Sequence, residues 1–307
     1  MTNVTEIKQS INNVTVVGTL VKSTLEERMK NDKEFINGSL VLRTDDGSEH
    51  QVDYYASKFT KEGKESALYK GLVTIMEQAV SLEKAETPNE ADVIKIGGGE
   101  FSVNDFKSPK DGTVATALKI SAKFANRLTQ QEKETTPKVA TFEVAGIVHK
   151  LDQEMIKAEP TGNGLVVLNA IGYGGKIIPI KLIVKAEMVD AFGTAGFYEG
   201  GSAKFNGTII NTTTTEEVVE KQAFGEDLVK TVSRTKKLNE IMGGSPLESI
   251  GITDEQYQAC LSKRRLHMEE VAQGGTKAPE NAFTPAPTQA QNTAPNPFQA
   301  KANPFAK

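Results

Sequence analysis

Val16-Val17-Gly18-Thr19-Leu20-Val21-Lys22 is a β-branched run with a glycine in its middle, and it is echoed by Val144-Ala145-Gly146-Ile147-Val148-His149-Lys150. A second apolar run repeats behind each, Gly38-Ser39-Leu40-Val41-Leu42 and Gly164-Leu165-Val166-Val167-Leu168. The paired glycines stand 20 residues apart in the first copy (Gly18 to Gly38) and 18 in the second (Gly146 to Gly164), so the intervening loops nearly match. A turn follows each time, Asp45-Asp46-Gly47 against Gly172-Tyr173-Gly174-Gly175. A third β-rich run then follows, Gln51 to Lys58 and Ile177 to Val184. An extended internal duplication of this kind predicts two similar β modules.

Working outward, Ser66 to Lys84 carries Leu68, Leu72, Ile75, Met76 and Ala79 at helical spacing. Two more strands are expected, Asp92 to Phe106 and Val114 to Phe124. Each unit then reads strand, long loop, strand, tight hairpin, strand, helical or irregular connection, strand, strand. That is the order of an OB-fold, a small barrel of five strands. Gly18 and Gly146 have a physical role in it, because a strand that curls to serve both halves of a barrel needs a residue without Cβ.

The fold expected is mainly β: two tandem OB-fold-like five-stranded barrels, a short C-terminal helical segment and a disordered tail. The boundaries are 1–130 for the first barrel, 131–138 for a charged linker, 139–240 for the second, 241–272 for the helical segment and 273–307 for the tail. Within the helical segment, Thr253-Asp254-Glu255-Gln256 starts a helix to Ala272 with a capping box. The tail holds six of the twelve prolines among Ala, Asn, Gln and Thr. Such a composition buries too little apolar surface to offset the entropy of ordering. It carries Asn-Pro-Phe twice, and Phe298 and Phe305 are expected anchors for a partner's pocket.

The chain has 307 residues, with 36 Lys and Arg against 40 Asp and Glu, a net charge of −4 that disfavours a broad basic groove for duplex DNA. One cysteine, Cys260, excludes a disulfide framework and a cysteine-rich zinc site, and three scattered histidines make no metal or hydrolase centre. Gly172-Tyr-Gly-Gly-Lys176 is followed by Ile, so the nucleotide-binding loop is lacking, and Asp45-Asp46-Gly47 reads as a hairpin turn. No enzyme, metal or cofactor is expected. With no apolar run of membrane-spanning length and no signal-like start, a cytoplasmic location is expected.

The first module resembles the OB-fold single-stranded DNA-binding proteins. Val93-Ile-Lys-Ile-Gly-Gly-Gly-Glu-Phe-Ser-Val-Asn-Asp-Phe106, then Lys107 to Gly112, then Val114 to Ala122, is similar to that family's fourth strand, extended loop and fifth strand. Val17-Gly18-Thr-Leu and Phe35 to Thr44 are similar to its opening strands, and Ala203 to Ile210 to its fourth strand again. The tandem arrangement with a low-complexity tail is more similar to a bacteriophage replication or recombination protein than to a bacterial housekeeping one. The resemblance implies that single-stranded DNA is the partner, coated and protected without catalysis, and that replication or recombination proteins dock on the tail. One departure stands out. The usual acidic tip is missing, since Lys277, Lys301 and Lys307 face Glu280 alone.

Single-strand binding needs flat rings for bases and cations for phosphates. In the first module, Tyr55 and Phe59 are the candidates for stacking, with Arg43 and Lys58 for phosphate. With the opposite strand parity Tyr54 replaces Tyr55. Phe106, where the resemblance places a base-stacking aromatic, forms a loop cluster with Lys107 and Lys110. The second module offers Lys150, Tyr173, Lys181, Lys204 and Phe205. Core packing is the competing role for each aromatic. The competing reading of the whole chain is a structural or protein-interaction β protein, a virion component or scaffold, which needs no aromatics beside lysines on an open face.

Overall fold

Strand β1 (Asn12–Ser23) opens the first barrel, and its middle is buried from Val14 to Leu20 apart from Thr15 and Thr19. The computed structural model describes residues 7–220, 224 and 228–274; the tail phenylalanines Phe298 and Phe305 lie outside the described residues. Strand β1 pairs antiparallel with β3 (Lys33–Arg43), which a hairpin connects to β2 (Glu26–Lys30) on one side and which pairs with β4 (Glu49–Ser57) on the other. β4 runs parallel to β7 (Val114–Ser121), β7 pairs with β6 (Glu100–Lys107), and β5 (Val93–Gly97) returns to β1. β5 and β6 are one barrel strand broken at Gly98, whose φ of +61° suits glycine. The circuit is the closed five-stranded OB order, with the parallel third–fifth pair. A short strand β8 (Phe124–Arg127) pairs onto β5.

Helix α1 (Ala67–Gln78) lies between the third and fourth barrel strands and buries Tyr69, Leu72 and Ile75. It ends earlier than its apolar spacing predicts. Ala79 is extended, and the next residue, Val80, donates its N–H to the buried Asp92 carboxylate at 2.9 Å instead of to a helical carbonyl.

The second barrel repeats the circuit with β9 (Ala140–Ile156), β10 (Glu159–Ile171), β11 (Ile177–Val184), β12 (Ser202–Glu220) and β13 (Leu228–Leu247). Neighbours are antiparallel except the third–fifth pair, β11 with β13, and β12 closes on β9. A short helix, α3 (Val189–Thr194), precedes β12. Two boundaries differ from the expectation. The segment from 241 to 247 is the end of the fifth strand, so the C-terminal helix, α4, spans only Asp254–Ala272, capped by Thr253 and Gln256. The linker holds a short helix, α2 (Gln130–Thr135), with a capping box of its own.

The strand glycines sit where two backbones approach. A Cβ on Gly18 would lie 2.8 Å from the Arg43 carbonyl oxygen, and one on Gly146 would lie 2.4 Å from that of Asn169. Both contacts are between first and second strands, at matching places in the duplication. The barrels are joined through their first strands, with Asn12 opposite Val144, Val14 opposite Phe142 and Val16 opposite Ala140. Val16 and Val144 are equivalent positions, so this ladder has an internal two-fold, as in an isologous dimer built within one chain. Val14 and Phe142, at its centre, belong to one apolar core that runs through both barrels.

Helix α4 bridges the barrels. Cys260 and Val271 are buried, and Cys260 packs in a cluster with Ile7, Ile147, Ile171, Ile177 and Ile250. Arg264 forms an ion pair with Asp105 at 3.0 Å, and Lys263 donates to the Gly174 carbonyl at 2.9 Å. Among the described residues, no helix is long and apolar enough to cross a membrane.

Candidate nucleic-acid interface

The period-two alternation of β3 and β4 decides which side chains face out. Ile36, Leu40, Leu42, Val52 and Tyr54 are buried, Tyr54 at 3% exposure. The opposite face carries Phe35, Asn37, Val41 and Arg43 on β3 and Glu49, Gln51, Tyr55 and Ser57 on β4, in rows such as Asn37 with Tyr55 and Arg43 with Glu49. The parity therefore selects Tyr55, which is 65% exposed.

Phe35 and Tyr55 stand 5.5 Å apart between ring centroids, tilted by 34°. Phe59, just past the strand, is 56% exposed, and the Lys58 ammonium lies 5.9 Å from its ring centroid. Beside them the β2–β3 hairpin turns at Asn31-Asp32, both at positive φ, as a tight two-residue hairpin requires. This turn exposes Met29 and places Arg28 opposite Phe35. Three rings thus belong to one side of the barrel, on the second and third strands that OB-folds use for oligonucleotides.

Four of the cations around this face are paired. Arg28 bonds Glu26, Lys58 bonds Glu34, Arg43 holds Glu49 at 2.7 Å, and Lys119 on β7 holds Asp53 at 2.9 Å. The hydrogen bond to Glu34 raises the Lys58 pKa, which keeps that ammonium charged. These carboxylates reduce the field of the four cations, while Lys30 and Lys33 stand exposed opposite each other beside the hairpin turn. A phosphate reaching one of the four would take it over from a carboxylate.

The sequence candidates divide clearly. Tyr55 lies on this face with Lys58 and Phe59 just past the strand end, whereas Arg43 sits at the far end of the same face, opposite Glu49 and six residues along β4 from Tyr55. Phe106 is not on this face: it sits half-buried within β6, opposite Ala115, and the strand continues to Lys107 before a tight turn closed by Ser108 N–H to Thr113 O at 2.7 Å. The exposed loop aromatic expected there is absent. Lys107 donates to the Ala272 carbonyl at the end of α4, and Lys110 is exposed in the turn.

Phe205 is a correction. It is fully buried in the second barrel, 5.0 Å from the Phe197 ring and 6.1 Å from that of Phe192, and presents no face to a base. Its neighbour Lys204 points outward to Glu143 at 3.0 Å. Lys150 pairs with Asp152, Lys181 is exposed on β11, and Tyr173 is 85% exposed at the β10–β11 turn. These are spread over the second barrel without a partner ring among the described residues. Its outer face on β10 and β11 carries no ring, with Leu165 opposite Ile183 and Val167 opposite Lys181, and its lower end is held by α4, where Tyr257 accepts from Asn169 at 2.9 Å.

Sequence reasoning left out Phe35 and Met29. The signal for Phe35 was present, since residues 35, 37, 41 and 43 share one strand parity. Met29 needed the hairpin turn at Asn31-Asp32 to be read as a turn instead of as loop.

A family model described as YorF matches residues 10–274. No curated protein sequence matches the chain. Among solved structures, the wild-type single-stranded DNA binding protein from Thermus aquaticus is similar at 11% identity and a TM-score of 0.46, over 80% of this chain and 97% of that one. A deletion mutant of the same protein is similar at 13% identity and a TM-score of 0.45, over 81% and 100%. A Replication Protein A heterotrimer bound to ssDNA shows 12% identity and a TM-score of 0.19, over 88% of this chain and 56% of that one.

Proposed function

We propose that this chain, which belongs to the YorF family, is a non-enzymatic single-stranded DNA-binding protein. Its first barrel holds bases by stacking on Phe35, Tyr55 and Phe59 and holds phosphates through Arg43 and Lys58. The observation that carries this reading is the exposed aromatic face, with Tyr55 65% and Phe59 56% exposed on the side of the barrel formed by its second and third strands. Large rings left in water on a strand face, with cations at their edges, suit unpaired bases, because every base has a π-face and stacking is worth about 1–3 kcal/mol per base. The role that follows is coating and protecting unwound DNA in replication or recombination, in a bacteriophage-like context within the cytoplasm. Phe298 and Phe305 would recruit partner proteins.

The test is fluorescence anisotropy with labelled oligo-dT of about 30 nucleotides, enough to span more than one OB-fold site, against a duplex of equal length at two salt concentrations. The expected result is binding to oligo-dT only, weakened by salt and largely lost in Tyr55→Ala with Phe59→Ala. Flat titrations at low salt would overturn the reading and leave this face to a protein partner.

A further inference from the structure

The hairpin that joins β2 to β3 holds its charges sorted by face. Read along the chain, Glu26-Glu27-Arg28-Met29-Lys30-Asn31-Asp32-Lys33-Glu34-Phe35 sets three cations among four carboxylates. Strand pairing separates them. Lys30 stands opposite Lys33, Arg28 opposite Phe35 and Glu26 opposite Asn37, which on its other side is opposite Tyr55. These rows alternate with Met29 opposite Glu34 and Glu27 opposite the buried Ile36. Alternate rows point to opposite faces. Arg28, Lys30 and Lys33 therefore share the side of Phe35 and Tyr55, and Glu27 and Glu34 take the other.

That other side is fastened to the barrel. Tyr69 of α1 donates to Glu27 at 2.5 Å, and Lys58 donates to Glu34. The hydrogen bond to Glu27, followed by burial and by the charges of Glu27, Glu34 and Glu65, raises the Tyr69 pKa to about 12. The carboxylates thus converge towards α1. On the ring side Glu26 is bonded to Arg28, Asp53 to Lys119 and Glu49 to Arg43. Lys30 and Lys33 are exposed and have no carboxylate partner among the described residues; against them stands Asp32, in the turn between them.

Two like charges directly opposite each other on paired strands, with Cβ atoms about 5 Å apart, cost stability. An anion held between them relieves that cost. The second barrel has the matching turn without the charges. Its β9–β10 hairpin turns at Lys157-Ala158, both at positive φ as Asn31-Asp32 are, and the row beside that turn is Ile156 opposite Glu159. The turn itself therefore does not require the lysine pair.

We propose that Lys30 and Lys33 form a phosphate clamp for the strand of DNA whose bases stack on Phe35 and Tyr55. The inference rests on the single-stranded DNA reading above and names the first cations that strand engages. Arg28, Arg43 and Lys58 must each leave a carboxylate to take a phosphate, whereas this pair need not. Lys33 is two residues from Phe35, about 7 Å along β3, on the same face. A phosphate held by the pair leaves the adjoining base beside the ring. The clamp touches the backbone alone, so its signature is salt dependence.

The experiment titrates labelled oligo-dT of about 8 nucleotides, within the span of one OB-fold site, with the full-length chain over a range of salt. Lys30→Ala with Lys33→Ala is expected to weaken binding about tenfold at low salt and to reduce the slope of log K against log salt by roughly 1.4, two contacts at about 0.7 each. Lys30→Arg with Lys33→Arg is expected to keep the slope. Tyr55→Ala is expected to weaken binding with the slope unchanged, because a ring neutralises no phosphate. Lys157→Ala, at the matching turn of the second barrel, is expected to change neither. The urea midpoint of the double alanine variant is expected to hold or rise, since a like-charge pair is removed. An unchanged slope in that variant, or an equal drop in Lys157→Ala, would overturn the clamp and leave the stacking reading intact. A fall in its urea midpoint would make the pair structural and overturn the clamp as well. Failure of the unmodified chain to bind oligo-dT at any salt would overturn both readings.

Discussion

The two barrels share their interiors and differ on their exteriors. Leu40, Leu42, Val52 and Tyr54 inside the first correspond to Val166, Leu168, Leu182 and Val184 inside the second, all buried. On the outer face the rows diverge. Arg43 opposite Glu49 in the first barrel becomes Asn169 opposite Pro179 in the second, and Lys185 stands where Tyr55 does. Lys185 is itself turned to the buried Glu240 at 2.8 Å, and α4 closes the lower end of that face. Barrel closure constrains the inward positions to apolar side chains of limited volume and leaves the outward ones free. The architecture alone therefore does not make a stacking platform; among the described residues, the first barrel has exposed rings on and beside its second and third strands, whereas the exposed Tyr173 and Tyr198 of the second lie off those strands.

The hardest test of this contrast sets two aromatics against each other. Phe205→Ala is expected to cost about 3–5 kcal/mol of stability, as for other buried phenylalanines. Tyr55→Ala is expected to change stability by less than about 0.5 kcal/mol, as at other exposed sites, and to act on binding instead. Urea unfolding followed by circular dichroism reads the difference. A Phe205→Ala variant that keeps its unfolding midpoint while losing affinity for oligo-dT would mean that the second barrel binds through the ring as well, and the contrast would collapse.

Arg264→Ala is expected to cost about 3 kcal/mol, because it strips the ion pair from a buried carboxylate. Burial works against the charge on Asp105, but hydrogen bonds from Thr116 and Arg264 outweigh it and hold the Asp105 pKa below its usual range. Loss of this contact loosens α4 from the first barrel, whose β6 carries Asp105. The expected pattern is a lower melting temperature with short-strand binding unchanged; weaker binding of an 8-mer would show that α4 supports the first barrel's site.

A comparable effect is expected from acid, through a buried residue of the first barrel. His50 is buried, and burial, helped by Lys237 and opposed by Asp46, lowers its pKa to about 4. Because the unfolded chain takes up this proton near pH 6.5 and the folded chain does not until about 4, the stabilisation is complete above about pH 6.5. It is lost as pH falls towards 4, by on the order of 3 kcal/mol. The matching residue of the second barrel is Ile180, which does not titrate. His50→Leu is expected to flatten the unfolding free energy across that window. If the slope persists, another group titrates there.

How much of this was legible in the sequence follows the range of the interactions. The duplication, the curled strands at Gly18 and Gly146 and the parity that exposes Tyr55 depend on neighbours a few residues away, and alternation reports them. Phe205 was misjudged because a phenylalanine beside a lysine looks like a stacking pair. Yet Ala203, Phe205 and Ile209 share the inward parity, while Lys204, Asn206 and Thr208 take the other. The ring at Phe106 was misplaced because the strand runs on to Lys107. The start of α4 was visible in its capping box, whereas its seat depends on Arg264 meeting a residue 159 positions earlier. The bond from Asn211 of β12 to Ser48 spans a comparable distance and leaves no local trace.

The smallest expected effect tests whether the interiors are as equivalent as they look. Tyr54 is a polar departure from the second barrel's apolar interior: Val184 stands at its position, and the Tyr54 hydroxyl has no hydrogen-bond partner among the described residues. Burial alone pushes the phenol pKa up, which keeps the group neutral. A buried hydroxyl without a partner costs desolvation with nothing returned, so Tyr54→Phe is expected to be neutral or to stabilise by up to about 1 kcal/mol. Affinity for oligo-dT should not change, because the ring points inward. A loss of more than about 1 kcal/mol in urea unfolding would mean that the hydroxyl has a partner, as buried polar groups commonly do. The first barrel would then hold a polar interior contact for which Val184 offers the second no counterpart, and the difference between the barrels would reach inside their walls.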